Sequence, residues 1–258
     1  MLPTKADIRI SALMPAFNAE HLIDRALMSI SAQTCPVDEV IVVNDGSSDN
    51  TSGRVLAWID RLPVHVVENE VNSGIARSLA RGVEASSGNW ILRLDADDFW
   101  HSGHVAIMKE IIAKPNVVLA ASSVRLISDD GFLVNSAIRA PSPDLVRPML
   151  MWDNPLVHSA TAFSRDACLK VGNYRENNKW EDYDLWVRLL NHGDFASYGE
   201  PTVDYTLSSN SLSRIGRREA LTARWQCQRK AMSYFWYDNP FLAAKYGLMG
   251  LIKNYLTI

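Results

Sequence analysis

An α/β fold, with a mostly parallel Rossmann-like sheet flanked by helices, is predicted by three observations. Short apolar runs alternate with segments of helical period through the first half of the chain. Those runs are rich in Val, Ile and Leu with little polar alternation, and polar or acidic clusters follow several of them directly. Unbroken apolar strands belong to a sheet covered on both faces, and their alternation with helices is that of βαβ units.

Ile8–Met14, closed by Pro15, reads as the first strand, and Glu39–Val43, Val64–Val67, Trp90–Leu94 and Val117–Ala121 follow. Between them Glu20–Ser31, Asn50–Arg61, Ile75–Ser86 and His104–Ala113 carry apolar residues at three- and four-residue spacing, which predicts helices. Ser48 and Asp49 have the chemistry of a helix cap. Val124–Ser128 and Phe132–Asn135 read as a hairpin around Asp129-Asp130-Gly131, and Pro141 to Pro155 as helix and loop. A later helix is expected over Glu181–Asn191, stopped by His192-Gly193. This divides the chain into 1–122, 123–213 and a helical tail, 214–258.

With 26 Lys and Arg against 29 Asp and Glu the formal charge is −3, which argues against a general nucleic-acid binder. Hydrophobic residues make up 47% of the 258, enough for a sizeable core and too many for a disordered chain. Cys35, Cys168 and Cys227 are odd in number and lack metal-ligand spacing, so reduced thiols and a cytoplasmic location are expected. No secretory leader and no apolar span are read from the sequence. From Asn210 onward eight Lys or Arg face two acids. Arg217, Arg218, Arg224, Arg229 and Lys230 mix there with Trp225, Tyr234, Phe235, Trp236, Tyr237 and Phe241. Such a tail either packs on the body of the protein or seats it peripherally at the inner face of the plasma membrane.

Ligands in such sheets bind beyond the carboxyl ends of strands. Reading only those ends gives Pro15-Ala16-Phe17-Asn18, Asn44-Asp45-Gly46-Ser47-Ser48 and Asp95-Ala96-Asp97-Asp98. Three carboxylates within four residues repel one another unless a cation or proton intervenes, and hard oxygen ligands suit Mg²⁺ or Mn²⁺. An acidic loop capping the next helix is the plainer alternative. His101 and His104 read as ordinary polar positions. Phe17 offers a stacking face and Asp45 an acceptor, so the three loops supply the parts that hold a nucleoside diphosphate. Neither a P-loop nor a Gly-x-Gly-x-x-Gly turn is present.

The chain resembles the family 2 glycosyltransferases, which have the GT-A fold. The likeness runs from Ile8 to about Ser213 and rests on five motifs in order. Met14-Pro15-Ala16-Phe17-Asn18-Ala19-Glu20 is similar to the family's Pro-x-Tyr-Asn-x-Glu, and Asn44-Asp45-Gly46-Ser47-Ser48-Asp49-Asn50-Thr51 to Asp-Asp-Gly-Ser-x-Asp-x-Thr. Asn72-Ser73-Gly74 with Gly82, Asp95-Ala96-Asp97 as Asp-x-Asp, and Trp180-Glu181-Asp182-Tyr183-Asp184 complete the set.

The resemblance implies an inverting, metal-dependent transferase that uses a nucleotide sugar, with UDP-sugars favoured and Mn²⁺ or Mg²⁺ as cofactor. It implies nucleotide contacts from Pro15, Ala16, Phe17, Glu20, Asp45, Asp95 and Ala96, metal binding by Asp97 and Asp95, and Asp182 as the base. His158, Trp180 and Glu181 fall on the acceptor side, where a saccharide or lipid-linked saccharide is expected in polysaccharide or glycoconjugate synthesis. Two departures stand out. Phe17 replaces Tyr, and Tyr205-Thr206-Leu207-Ser208 replaces an Arg-x-His, with Ser211, Ser213 and Arg214 following. A nucleotidyltransferase and a sugar-nucleotide-binding protein with a decayed site are the alternatives. An Asp-x-Asp phosphatase would need its nucleophile where Pro15-Ala16-Phe17 stands.

Overall fold

The computed structural model describes residues 7–128, 130–176, 180–207, 217–235, 240–241 and 244–245. Four parallel strands form the first half of one sheet: β1 (Ile10–Ala16), β2 (Glu39–Asn44), β3 (Val64–Glu68) and β4 (Trp90–Arg93). They are connected through α1 (Ile23–Ser31), α2 (Thr51–Leu56) and α3 (Ile75–Ala85). The next elements are β5 (Phe99–Trp100), α4 (His104–Ile112), β6 (Val117–Ser128), β7 (Leu133–Ile138) and α5 (Val146–Leu150). Then come β8 (Thr161–Ser164), α6 (Arg165–Lys170), α7 (Glu181–Leu189), β9 (Asp194–Leu207) and α8 (Arg217–Phe235).

The strand order is β3-β2-β1-β4-β8-β6-β9-β5, with β7 paired to β6. β8 lies antiparallel between β4 and β6, and β9 runs parallel to β6. The sheet is therefore parallel through β4, as predicted, and mixed beyond it. Because β8 runs the other way, its beginning shares a rim with the ends of β1, β2 and β4. β6 passes through residue 122 without a break, so the sheet is continuous across that expected boundary. The hairpin strand expected at Val124–Ser128 is the second half of β6.

Both faces of the sheet are covered. Ile10, Ala12 and Met14 of β1 pack with α1 and α4 on one side, while Leu13 packs with Leu79 and Val83 of α3 on the other. α7 and α8 extend that second layer through Trp186, Leu189, Cys227, Ala231 and Phe235. The tail helix is thus partly core, and its buried Arg224 pairs with Asp153 at 3.1 Å. Arg214, Trp236 and Tyr237 lie outside the described residues. α2 stops at Leu56 instead of Arg61 because tighter turns, such as Trp58 N–H to Val55 O, lead into Pro63.

Gly46, which follows Asp45, has φ +71°, and a Cβ there would lie 2.5 Å from the Val71 carbonyl carbon. Gly46→Ala is expected to cost about 1–3 kcal/mol, from left-handed strain plus overlap with backbone. Urea unfolding of the variant against the parent measures it.

Candidate active site

The loops after β1 and β2 are knitted together. Register pairs Ala16 with Asn44, Asp45 N–H donates to Ala16 O (2.8 Å), and Ala19 N–H donates to Thr51 Oγ1 (2.8 Å). Asn18, at φ 48°, receives Ser48 N–H at 2.9 Å, and Glu20 receives Asn50 N–H at 2.9 Å. This leaves Phe17 at the turn with 47% of its surface exposed, a free aromatic face beside half-buried Pro15 and buried Ala16.

Asp45 is buried and organises a third loop. It accepts from Asn69 Nδ2 (2.6 Å), Ser73 N–H (2.8 Å) and Gly74 N–H (2.9 Å). Much of its acceptor capacity is therefore spent on holding residues 69–74 in place. Asn44, where the family pattern has Asp, donates to Ser52 Oγ and to Glu68 Oε2, each at 2.7 Å. An Asp there would set two carboxylates against each other, which gives the amide its reason.

At the end of β4 the three acids separate by environment. Asp95 binds the fully buried Arg93 Nη2 at 2.5 Å and accepts from Ser159 Oγ at 2.9 Å, while its own N–H donates to Ser159 Oγ at 3.0 Å. Burial opposes its charge, but the Arg93 guanidinium holds the carboxyl below its ordinary range. Asp98 turns inward. It accepts from Thr206 N–H at 2.8 Å, has a second oxygen buried without a partner, and is pushed well upward by burial and by the two neighbouring acids.

Asp97 remains partly exposed, and among the described residues no side chain donates to its carboxylate. Burial and then the Asp95 charge push it up to about 6. Its backbone oxygen is held by Thr206 Oγ1 (2.6 Å) and Arg25 Nη1 (3.3 Å). Thr206, part of the segment standing in for Arg-x-His, thus braces the acidic loop; Ser208, Ser211, Ser213 and Arg214 lie outside the described residues. No group of three or more His, Cys, Asp or Glu among the described residues forms a metal cage. An unpartnered carboxylate beside an ionised one fits instead a hard cation that takes its remaining ligands from substrate phosphates and water.

The residues expected on the acceptor side sit on and around α7. Its first turn holds Glu181, Asp182 and Asp184, where the helix dipole favours anions. For Asp182 burial prevails and pushes the carboxyl up to about 6, against hydrogen bonds from Tyr183 N–H (2.6 Å) and Asn154 Nδ2 (2.7 Å). Glu181 is driven further, to about 8, by burial and then by Asp182. The charge of Arg93 acts on Asp95, Asp97, Glu181 and Asp182 alike, so both ends of the site lie within electrostatic reach of one guanidinium.

His158 is built into the structure. Its Nε2 meets Tyr174 Oη at 2.8 Å, its ring stands edge-on to Trp186, and burial holds it neutral, well below the ordinary imidazole range. Trp180 is half-buried, packed on the second core and set edge-on to Tyr183. His101 and His104 serve locally, on Asp204 (2.7 Å) and Thr202 (2.7 Å).

The sequence reading missed Arg93, Ser159 and Asn154. Only Arg93 carried a signal, as a charge inside an otherwise apolar strand.

Comparison with known proteins identifies the family and the fold. The family model described as "Glycosyl transferase family 2" matches residues 11–172. An uncharacterized glycosyltransferase of Haemophilus influenzae is 27% identical over 88% of this chain and 74% of its own length. The Escherichia coli UDP-Glc:alpha-D-GlcNAc-diphosphoundecaprenol beta-1,3-glucosyltransferase WfgD is 27% identical over 85% of each chain. Among solved structures, S. aureus TarS 1–349 in complex with UDP-GlcNAc superposes with TM-score 0.74 at 16% identity, over 93% of this chain and 71% of that one. The mannosyltransferase PcManGT of Pyrobaculum calidifontis, in complex with GDP-Man and Mn²⁺, gives 0.65 at 20% identity, over 97% and 74%. These likenesses bear out the GT-A fold, and with the family match covering more than half its length the chain belongs to glycosyl transferase family 2.

Proposed function

We propose that this glycosyltransferase inverts the anomeric centre, moving a sugar from a nucleotide diphosphate, most readily a UDP-sugar, to a hydroxyl of a saccharide or lipid-linked saccharide in polysaccharide or glycoconjugate synthesis. The observation that carries the reading is the division of labour around Arg93. Asp97 stands free at the strand end, while Asp182 is held at about 6, where it is ionised at neutral pH and still basic. The names of the relatives support the substrate classes, since WfgD uses UDP-Glc and a diphosphoundecaprenol-linked sugar.

Phe17 stacks on the nucleobase, and the Asp45 clamp, with Pro15, Ala16 and Glu20, fixes the pocket around it. Asp95 and Ala96 take the ribose side. Asp97 and Asp95 would hold Mn²⁺ or Mg²⁺, which when bound would supply charge neutralisation for the departing diphosphate. Asp182 draws the proton from the acceptor hydroxyl as that oxygen attacks, and Asn154 keeps the carboxylate oriented. Glu181 and Trp180 shape the acceptor side, and His158 supports it from beneath through Tyr174. Incubation with UDP-, GDP- and dTDP-sugars plus Mn²⁺ tests this. Slow donor hydrolysis with one base preferred is expected, and metal-independent release of inorganic phosphate contradicts it.

Peripheral membrane contact at the inner face of a plasma membrane belongs to the same reading. No helix among the described residues is long and apolar enough to cross a membrane. Trp225, stacked with Arg229 at 4.9 Å, and Tyr234 and Phe241 leave aromatic surface exposed on the tail. Flotation with anionic liposomes at low salt is the expected result; none at low salt contradicts it.

A further inference from the structure

Three cations converge on one carboxylate on the flank of α7. Asp184 accepts from Arg188 Nε at 2.8 Å, and its other oxygen lies 3.3 Å from Lys230 Nζ on α8 and 3.6 Å from Arg175 Nη1. Arg188 also donates Nη1 to Val171 O at 2.7 Å. Its remaining Nη2 is buried without a partner, in a side chain only 4% exposed.

The charges do not balance. Among the described residues Asp184 is the one carboxylate paired with these cations, because Glu176 faces Arg77 at 3.8 Å. Glu181, pushed up to about 8 by burial, adds no charge at neutral pH. Burial, together with the two guanidinium groups, pulls Lys230 below its ordinary range despite Asp184. The i,i+4 pair of Arg188 with Asp184 is complete by itself, so bringing Arg175 and Lys230 to the same point adds repulsion that a structural tether does not need. Arg175 is half exposed, which opens the cluster to solvent.

We infer that Arg175, Arg188 and Lys230 form a subsite for a phosphate or diphosphate ester, whose oxygens take the buried Nη2 of Arg188 and neutralise the surplus charge. The half-exposed guanidinium of Arg175, the remaining Nη2 of Arg188 and an ammonium suit a polyanion of that size. Asp184 lies two residues beyond Asp182, so on a helix it points to the other flank of α7, apart from both Asp182 and the Asp97 loop. The occupant is a phosphate or diphosphate ester, borne by a lipid headgroup or by a soluble ester, and the inference stands apart from the transferase reading.

A ³¹P NMR titration of the full chain with inorganic pyrophosphate tests it, in EDTA so that no metal can hold the ligand at Asp97. Saturable binding is expected, weakened about 10- to 100-fold in Arg175→Gln/Lys230→Gln, with donor hydrolysis unchanged within about twofold. Absence of saturable binding by the parent overturns the inference, as does equal affinity in the double variant. Should the double variant melt early, the single Arg175→Gln, at an exposed position, gives the same reading. Flotation with phosphatidylglycerol vesicles separates the sources. A loss that parallels the pyrophosphate result assigns the site to a lipid headgroup, and unchanged flotation assigns it to a soluble phosphate ester. Failure of the parent to hydrolyse any donor would sink the transferase reading and leave the binding result standing.

Discussion

Replacing Asp182 by Asn lowers sugar transfer by about 10²- to 10⁴-fold while donor affinity stays near the parent value, because the amide keeps the shape of the carboxylate but cannot take a proton. The carboxyl of Asp182 is raised to about 6, so it is ionised and competent above that pH and protonated below it. In the parent, kcat at saturating donor and Mn²⁺ therefore falls about tenfold per pH unit below about pH 6 and levels off above. The variant loses that limb. Glu181, raised to about 8, stays neutral beside Asp182 through the working range and spares it a second adjacent charge. Initial-rate pH profiles of parent and variant measure both effects; a variant that keeps the limb at near-parental rate removes Asp182 from proton transfer.

Asp97→Ala is expected to fail earlier, in donor binding. Among the described residues the Asp97 carboxylate alone of the acidic trio accepts no hydrogen bond from another residue, so removing it is expected to delete the main hold on the proposed cation. Loss of a direct metal ligand is expected to weaken UDP binding in Mn²⁺ by about 100-fold or more, since even indirect supports of metal sites cost about 10- to 100-fold. Calorimetric titration of UDP should show parent affinity dropping in EDTA to the level of the variant. The raised carboxyl, about 6, adds a pH signature: metal-dependent affinity is present above pH 6 and is lost as protons displace the cation below it. Metal-independent UDP binding, equal in parent and variant, contradicts the assignment.

What the sequence revealed follows from how local each feature is. Glu39–Asn44, Val64–Glu68 and Trp90–Arg93 form close to where their apolar runs predict, because a strand covered on both faces must be apolar throughout. β8 is only four residues, Thr161–Ser164, held between β4 and β6, with Phe163 packed on Tyr174 and Trp186 from later in the chain. β9 contains Gly199 and Pro201, residues that mark turns in a linear reading. Here they fall where its register against β6 shifts between Ser122 and Ser123.

The site divides in the same way. Asp97 and Asp182 are visible in short motifs. The contacts that set their chemistry join residues distant in sequence, as Asn154 does with Asp182 and Ser159 with Asp95. The outcome at Asp182 needed coordinates, since burial raises the carboxyl while the helix dipole and the hydrogen bonds from Tyr183 and Asn154 lower it, and burial wins. The tail shows the same limit. Composition alone left packing and membrane contact open, and α8 does pack, through Cys227, Ala231 and Phe235.

The most direct measurement is a crystal structure with UDP and Mn²⁺, with the metal located by its anomalous scattering. Mn²⁺ is expected on an Asp97 oxygen and on the diphosphate, with Asp182 open to the same cavity. Mn²⁺ bound away from Asp97, or a wall of protein between the diphosphate and Asp182, would contradict the account.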